Sequence, residues 1–589
     1  MRFLLFFLLT VAMLVGLHLV LLYGFVPYST FGPAIDAANA ASELANIPWP
    51  TPRLAHNSVA YTHLRETAFF ALAISTSALG GWHRTVRCQA RRLGHDLHRT
   101  SQALARGWYK QPRPIRVCAA GLLLTIAALR TYFLLCTPFN TDEIITVDYF
   151  AASSPSVAAS FYILPNNHLL QTLLVWVMLH WLPNANPDLM ARLPVFILGL
   201  VGLVVGFLVL GHLTSIRIAL LATLVFQLSP MGLEYATTAR GYGLQTLCVQ
   251  AAALATLVLL RGPAHHRLAW AVWISACLLG TYLIPTFLYP MLSMSGVLLC
   301  ARSQSARVLR RQVLLAGCGT GGLALLLYLP VGLLTGWPLL FTNPYVMQRP
   351  ALEFWPVLIP YYLPVTIALL YGRAILVWPL IGLLTLGPVL AHFARPALRP
   401  VAWLAWLGVL IPCFLFLAQR VMPPARTLHY TVWLVLLLVG VLVDTLSDWS
   451  QSRAMALWSI AAMVAGAYAL AQTTRFARTV AEAQQQNQRY QQAEQWLRAR
   501  AAQRVLSTVP GYELYLAHQV MSRHQLRPVI EVPALQRYRS NGLAPNYDFL
   551  VLKPTETPPT WLSPHRYRVR FRNSLVRIYQ QDSSVNTDF

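Results

Sequence analysis

A chain of 589 residues that is 56% hydrophobic and 11% charged is too poor in charge for an ordinary soluble domain, in which about a quarter of residues are charged. Its basic excess, 45 Lys and Arg against 20 Asp and Glu, lies between apolar runs of membrane-crossing length and forms no single patch, which excludes a nucleic-acid binder and points to a polytopic helical membrane protein. The 8 cysteines show no CxxC spacing, and GxGxxG, Walker and GxSxG patterns are absent, so a disulfide framework, structural zinc, a nucleotide cofactor and serine-hydrolase chemistry are not indicated.

The first apolar run, 3–25, is longer than the core of a secretory signal and reads as a retained span, with only Ala-rich 37–41 resembling a cleavage site. A weaker span is predicted over 67–82. The loop 83–116 follows, with Arg84, Arg87, Arg91, Arg92, Arg99, Arg106, Lys110, Arg113 and Arg116 against a lone Asp96. The positive-inside rule places it in the cytoplasm. The span 117–136 then runs outward and delivers Asp142, Glu143 and Asp148 to the extracytoplasmic side. Residues 168–183, interrupted by Gln171 and His180, read as a helix lying in the outer interface. Spans over 192–212 and 218–234 flank the short loop holding Arg217, so Glu234, Arg240 and Tyr242 return to the face that carries Asp142.

The span 242–260 ends at Arg261 and Arg267, a hairpin over 267–301 ends at Arg302, Arg307, Arg310 and Arg311, and 313–335 crosses outward. The Pro- and aromatic-rich stretch 336–373 reads as an outer loop, because 361–372 is too short to cross. Spans over 374–394, 401–419, 429–446 and 455–472 bring the count to about thirteen and leave Arg420 and Arg426 outside with the tail 473–589. That tail opens with a Gln-rich helix, 480–505, and has strand-like pieces at 528–532, 548–552 and 567–579. The last alternates at period 2 around Arg572-Asn573, a hairpin pattern, so a small α/β domain is expected.

Four groups of residues occur in a telling order. Asn140-Thr-Asp142-Glu143 lies in the first large outer loop, and Pro165-Asn-Asn-His168 opens the interfacial helix. Ala191-Arg192-Leu-Pro194 opens the next span, and Ser229-Pro230 is followed by Ala239-Arg240-Gly-Tyr242-Gly-Leu244. Together they resemble the GT-C glycosyltransferases that use polyprenyl-phosphate sugars. Within that superfamily they resemble the protein-mannosyltransferase-like bacterial branch, which includes aminoarabinose transferases of lipid A and rhizobial galacturonosyltransferases. The resemblance covers about 117–300 and weakens to 472; residues 1–116 lie outside it. Two positions depart: His168-Leu-Leu stands where many relatives carry His-Pro or Lys-Pro-Pro, and Thr238 where the residue is often acidic.

The resemblance implies an all-α GT-C membrane domain over 117–472, preceded by an extension over 1–116 with two spans and followed by the extracytoplasmic domain 473–589. It implies a bacterial inner-membrane enzyme that takes a sugar from a polyprenyl-phosphate donor to a glycolipid or cell-envelope glycan such as lipopolysaccharide. The residues suit that chemistry independently. A glycosyl phosphate already carries a good leaving group, so the protein must deprotonate the acceptor and hold the developing phosphate charge. Asp142 is the first choice as general base and Glu143 the second. Arg240 and Arg426 are the phosphate candidates, since guanidinium forks match phosphate oxygens, with Arg420 the alternative to Arg426 and a purely structural clamp the alternative for Arg240. Asp148, His168, Glu234 and Tyr242 are candidate substrate contacts, His168 and Tyr242 being equally readable as a helix-start contact and an interface anchor. One carboxylate base and direct displacement imply inversion at the sugar. Magnesium or manganese held by Asp142 and Glu143 is left open, because some relatives need a metal and others do not. A lipid or solute transporter without chemistry is the alternative; it calls for carboxylates buried within spans and broken helices.

Overall fold

Inside lipid every backbone polar group must be bonded within its own segment, so the apolar runs become helices. The computed structural model describes residues 1–44, 57–262, 266–301, 306–341, 347–500, ten positions between 502 and 518, 548–556 and 567–581. The amino-terminal part comprises α1 (Arg2–Leu19), α2 (Tyr28–Leu44), α3 (Ser58–Gly81) and α4 (His83–Tyr109). Next come α5 (Arg113–Cys136), α6 (Thr141–Ile144), α7 (Pro155–Ala158), α8 (Leu169–Trp181) and α9 (Pro187–Leu213). The centre is α10 (Ile216–Gln227), α11 (Pro230–Thr237), α12 (Tyr242–Arg261), α13 (His266–Leu283), α14 (Leu288–Leu299) and α15 (Ala306–Leu327). The remainder is α16 (Leu329–Val331), α17 (Pro338–Phe341), α18 (Ala351–Val357), α19 (Leu363–Tyr371), α20 (Val377–Thr385), α21 (Gly387–Phe393), α22 (Arg399–Gln419), α23 (Tyr430–Trp449) and α24 (Ala454–Arg498).

Among the described residues, 8 helices are long and apolar enough to cross a membrane, or 11 if each of three bent pairs is one span. The chain is therefore a polytopic helical membrane protein, and these candidates compare with the thirteen or so spans expected. Three predicted spans do not reach that length and apolarity. The apolar part of α3 is shortened by His63, Arg65 and Glu66 in its first turns. The predicted hairpin 267–301 becomes α13, buried among its neighbours with Trp270 and Trp273 in the core, and the 12-residue α14. Where an outer loop was expected, Ala351–Tyr371 is helical throughout and long enough to cross, its middle wound as a π-turn around Pro360. A widened turn relieves the clash a proline makes with the preceding turn, and the helix runs on. The predicted loop 83–116 is largely the helix α4. It buries Gln89 and Asp96, half-buries Val86 and Leu93 at helical spacing with them, and leaves Arg84, Arg87, Arg91, Arg92 and Arg99 exposed. Asp96 anchors it to Arg267 at the start of α13, at 2.9 Å.

Two bends carry a visible cause. Between α10 and α11 the axis turns by 71°; Pro230 starts α11, and the Ser229 hydroxyl accepts the Gly232 N–H at 3.1 Å as its cap. Between α20 and α21 it turns by 49° next to Pro388. The main core joins α9, α10, α12, α13, α14, α22 and α23, and α1 to α3 pack with the 150–173 segment in a second cluster. Large apolar side chains such as Leu124, Val201, Trp378 and Val464 stay exposed on the flanks, as a lipid-facing surface requires.

The predicted span 455–472 and the predicted Gln-rich helix are one element, the 45-residue α24. No Gly or Pro occurs from Ala467 to Arg498 to end it. Its far end packs Tyr490, Ala493, Trp496 and Leu497 against a small sheet. The strands are β1 (Val505–Ser507), β2 (Phe549–Leu552), β3 (Tyr567–Arg572) and β4 (Arg577–Gln581), in the order β1-β2-β4-β3. β1 and β2 run parallel, and β3 and β4 form the expected hairpin, its turn held by Asn573, whose side chain accepts the Leu575 and Val576 N–H groups at 2.9 Å. The expected strand 528–532 lies outside the described residues.

Candidate active site

The site begins where α5 ends. The Asn140 side chain accepts the Glu143 N–H at 2.9 Å, and Glu143 Oε2 accepts the Asn140 N–H at 3.2 Å, a capping box that starts α6. It turns the two adjacent carboxylates opposite ways: the Glu143 side chain is fully buried, whereas that of Asp142 is 40% exposed.

A carboxylate removed from water persists only when it is paired and its lone pairs are filled. Glu143 meets both conditions. Arg192 Nε donates to Oε1 at 2.8 Å and Nη2 to Oε2 at 2.7 Å, and the Ala239 N–H donates to Oε1 at 2.7 Å. Arg192 uses its other protons on the Thr137 and Pro138 carbonyls, at 2.7 and 3.0 Å, with the Phe139 ring 5.0 Å from its guanidinium. The pair ties the end of α5, α6, the first turns of α9 and the turn before α12 into one unit. Glu143, the second candidate for general base, is thus engaged on both oxygens. Arg192, which the sequence offered only as part of a motif, is its partner.

Asp142 faces two cations. Arg240 Nη2 lies 3.3 Å and Arg426 Nη1 3.2 Å from Oδ2, and Tyr242 underlies both guanidinium groups at 5.4 and 5.7 Å. Arg240 is 3% exposed and is aimed by Asn166, which bonds its Nη1 and donates to the Asp142 carbonyl at 3.0 Å. His168 stands edge-on to Tyr242, ring centres 4.7 Å apart, and its Nδ1 accepts the Gly241 N–H at 3.0 Å. A Cβ at position 241 would run into the imidazole, so only glycine fits this approach. Glu234, on α11, lies within electrostatic reach of Arg240, Arg426 and Asp142. Of the two outer arginines offered for one role, Arg426 reaches the site; the Arg420 carbonyl instead accepts the Arg349 N–H at 3.1 Å. Residues 142, 168, 234, 240, 242 and 426 therefore converge, although up to 284 positions separate them.

Asp148 does not join them. It is turned to the tail, where His518 Nδ1 lies 3.1 Å from both its oxygens and His518 Nε2 lies 2.9 Å from Asp188. Its expected substrate contact gives way to a docking contact between the first loop and the C-terminal part. No spacing rule links residue 518 to residue 148, so this partner was invisible in the sequence. An imidazole can donate to carboxylates on both sides only as the cation. Hydrogen bonds and charge from Asp148 and then Asp188 outweigh burial and push His518 up to about 10, while burial pushes the Asp148 carboxyl up against the pull of His518. A histidine raised above its ordinary 6.5 lends stability that is full below that value and is lost as pH rises through about 10. Hydrogen exchange of residues 145–151, corrected for its intrinsic pH dependence, is expected to lose protection between pH 7 and 10 in the native chain. In His518→Gln it should be low and flat.

Among the described residues no group of three or more His, Cys, Asp or Glu side chains could hold a metal ion. The donor set at Asp142 and Glu143 does not fit a divalent cation: both Glu143 oxygens are engaged, and two guanidinium groups already face Asp142.

No protein-family model matches the sequence, and no curated protein matches it. Among solved structures, the chain is similar to ArnT from Cupriavidus metallidurans in the apo state, at 15% identity and a TM-score of 0.49 over 78% of this chain and 98% of that one. It is similar to the same protein bound to undecaprenyl phosphate, at 14% identity and a TM-score of 0.49 over 80% of this chain and 99% of that one.

Proposed function

We propose that the chain is a GT-C glycosyltransferase of the bacterial inner membrane. It moves a sugar, with inversion, from a polyprenyl-phosphate donor to an extracytoplasmic glycolipid or cell-envelope glycan. The carrying observation is the half-exposed Asp142 facing two arginines at 3.2 and 3.3 Å over one tyrosine. In this reading 117–472 holds the chemistry, 473–589 lies on the extracytoplasmic side, and 1–116 supports the bundle. Arg240 and Arg426 hold Asp142 until a donor phosphate arrives. The phosphodiester anion then competes for both forks, which also meet the second negative charge that develops on the phosphate as the sugar leaves it, since charge-assisted bidentate bonds to phosphate are strong. Released from them, Asp142 takes the acceptor proton as the acceptor oxygen attacks the anomeric carbon and the phosphate leaves. The order makes the base available only when the electrophile is in place. Glu234 and His168 line the donor side, and no step needs a metal.

The bent helix pairs are a feature a transporter shares. The buried span carboxylate Asp444, however, lies toward the end of α23 away from Arg426 and is paired with Arg395 at 3.5 Å. The test of the enzymatic reading is the envelope-lipid mass profile of a deletion strain. One glycolipid or glycan is expected to lose a single sugar, restored by the wild-type chain and not by Asp142→Asn. Glycolipids and glycans with their sugars intact, together with accumulation of a lipid, would support the transporter.

A further inference from the structure

Arg130 is a guanidinium inside the bundle without a carboxylate. It sits six residues before the end of α5, is 5% exposed, and forms no ion pair among the described residues. Its Nη2 donates to Gln227 Oε1, its Nη1 reaches the Gly199 carbonyl at 3.5 Å, and its Nε has no partner. Beside it lies a cavity of about 40 Å³, several times the roughly 10–15 Å³ one water needs and on the order of one tetrahedral oxyanion. The cavity sits at the 71° break between α10 and α11, with Gln227 on one side of the break and Gly232, in the first turn of α11, on the other. That turn brings the positive end of a helix dipole toward the same space as the guanidinium. His429, 2% exposed, lines it as well; its Nδ1 is engaged with Thr246 at 3.3 Å, and its Nε2 has no partner.

A lone cation in a low-dielectric interior is costly, and membrane proteins place such groups where an opposite charge or a polar path meets them. Here the residues that line the cavity include one guanidinium and no carboxylate, so a small anion would supply the missing opposite charge. The other wall indicates the direction of approach. Gly199 and Gly202 on α9 and Leu247 and Gln250 on α12 line the cavity and are part-exposed. They border the lipid-facing Leu198 and Val201. Leu247 fills the space at Gly202, but Gly199 leaves room in the α9 surface next to the charge, so a group carried on a lipid chain can enter from the side there.

We propose that the Arg130 cavity is a second anion site, separate from Arg240 and Arg426, which takes the phosphate of a membrane lipid entering between α9 and α12. Phosphate is the shared chemistry; its source is lipid-borne or free, and the probes separate the two.

The full chain in neutral detergent is titrated with dodecyl phosphate and, separately, with inorganic phosphate, reading the thermal unfolding midpoint. Dodecyl phosphate is expected to raise the midpoint saturably, both in the native chain and in the Arg240→Gln, Arg426→Gln double variant, which lacks the outer pair. Arg130→Gln should weaken its binding by about 10- to 100-fold, the loss of hydrogen bonds to a charged group. Should Arg130→Gln not fold, Gly199→Ala decides: its added Cβ would sit 3.6 Å from Arg130 Nη1, an ordinary contact that the fold accepts and that narrows the anion's space. It should weaken binding about fivefold or more. Inorganic phosphate acting as well as dodecyl phosphate would overturn the lipid source. No saturable effect, or one that survives in Arg130→Gln and Gly199→Ala but vanishes in the double variant, would overturn the site.

Discussion

Asp142→Asn should fold, insert and unfold at the native midpoint while sugar transfer falls by about two to four orders of magnitude, the usual cost of removing a general base. Asn keeps the shape of the side chain and can still accept a hydrogen bond from Arg240 and Arg426, which now lie 3.3 and 3.2 Å from the carboxylate. It cannot take a proton at neutral pH. Donor binding should survive or tighten, because the arginines no longer have to leave a carboxylate for the phosphate. Single-turnover transfer with purified protein separates the two effects. Wild-type turnover in a folded Asp142→Asn protein would remove Asp142 from the chemistry.

Arg192→Met is expected to act in the opposite way. It strands Glu143, fully buried, with both oxygens shaped for a cation that is gone. Breaking such a pair from one side costs about 3–5 kcal/mol, so the variant should unfold at a clearly lower temperature or fail to accumulate. Glu143→Gln keeps one acceptor oxygen for Arg192 and should lose less stability, with the surviving protein still turning over. A Glu143→Gln protein that is fully stable but inactive would give Glu143 the chemical role and reduce Asp142 to its neighbour.

The two carboxylates illustrate what the sequence could and could not disclose. That a carboxylate cluster sits after α5, on the face that also carries Arg240, follows from span lengths and the charge bias of the loops; Arg426 joins them in the structure, 3.2 Å from Asp142. Which carboxylate faces outward depends on the capping box, and that pattern, Asn140-x-x-Glu143, was legible from the spacing alone. The break at Ser229-Pro230 was legible too, because a capping residue followed by proline starts a helix; hydropathy averages pass over it and give one span. The span at Ala351–Tyr371 was hidden by its prolines, which a local rule treats as stops and a π-turn absorbs. His518 lay beyond any such rule, since 370 positions separate it from Asp148 and only tertiary docking joins them.

The 45-residue helix α24 has a mechanical consequence. At 1.5 Å per residue it is a rod about 68 Å long, about half of it apolar enough for lipid and the rest running on past the end of α5, where Gln484 donates to the Cys136 carbonyl, with the sheet on its end. With no joint along it, the sheet inherits every tilt and rotation of the span below. Adding one residue between 473 and 480 would turn the sheet by about 100° and lift it by about 1.5 Å, which swings His518 away from Asp148 and Asp188. A helix also tilts to match the hydrocarbon layer around it. Packing against α10, α11 and α23 fixes that tilt, so whatever shifts those helices also shifts the angle at which the sheet meets the first loop.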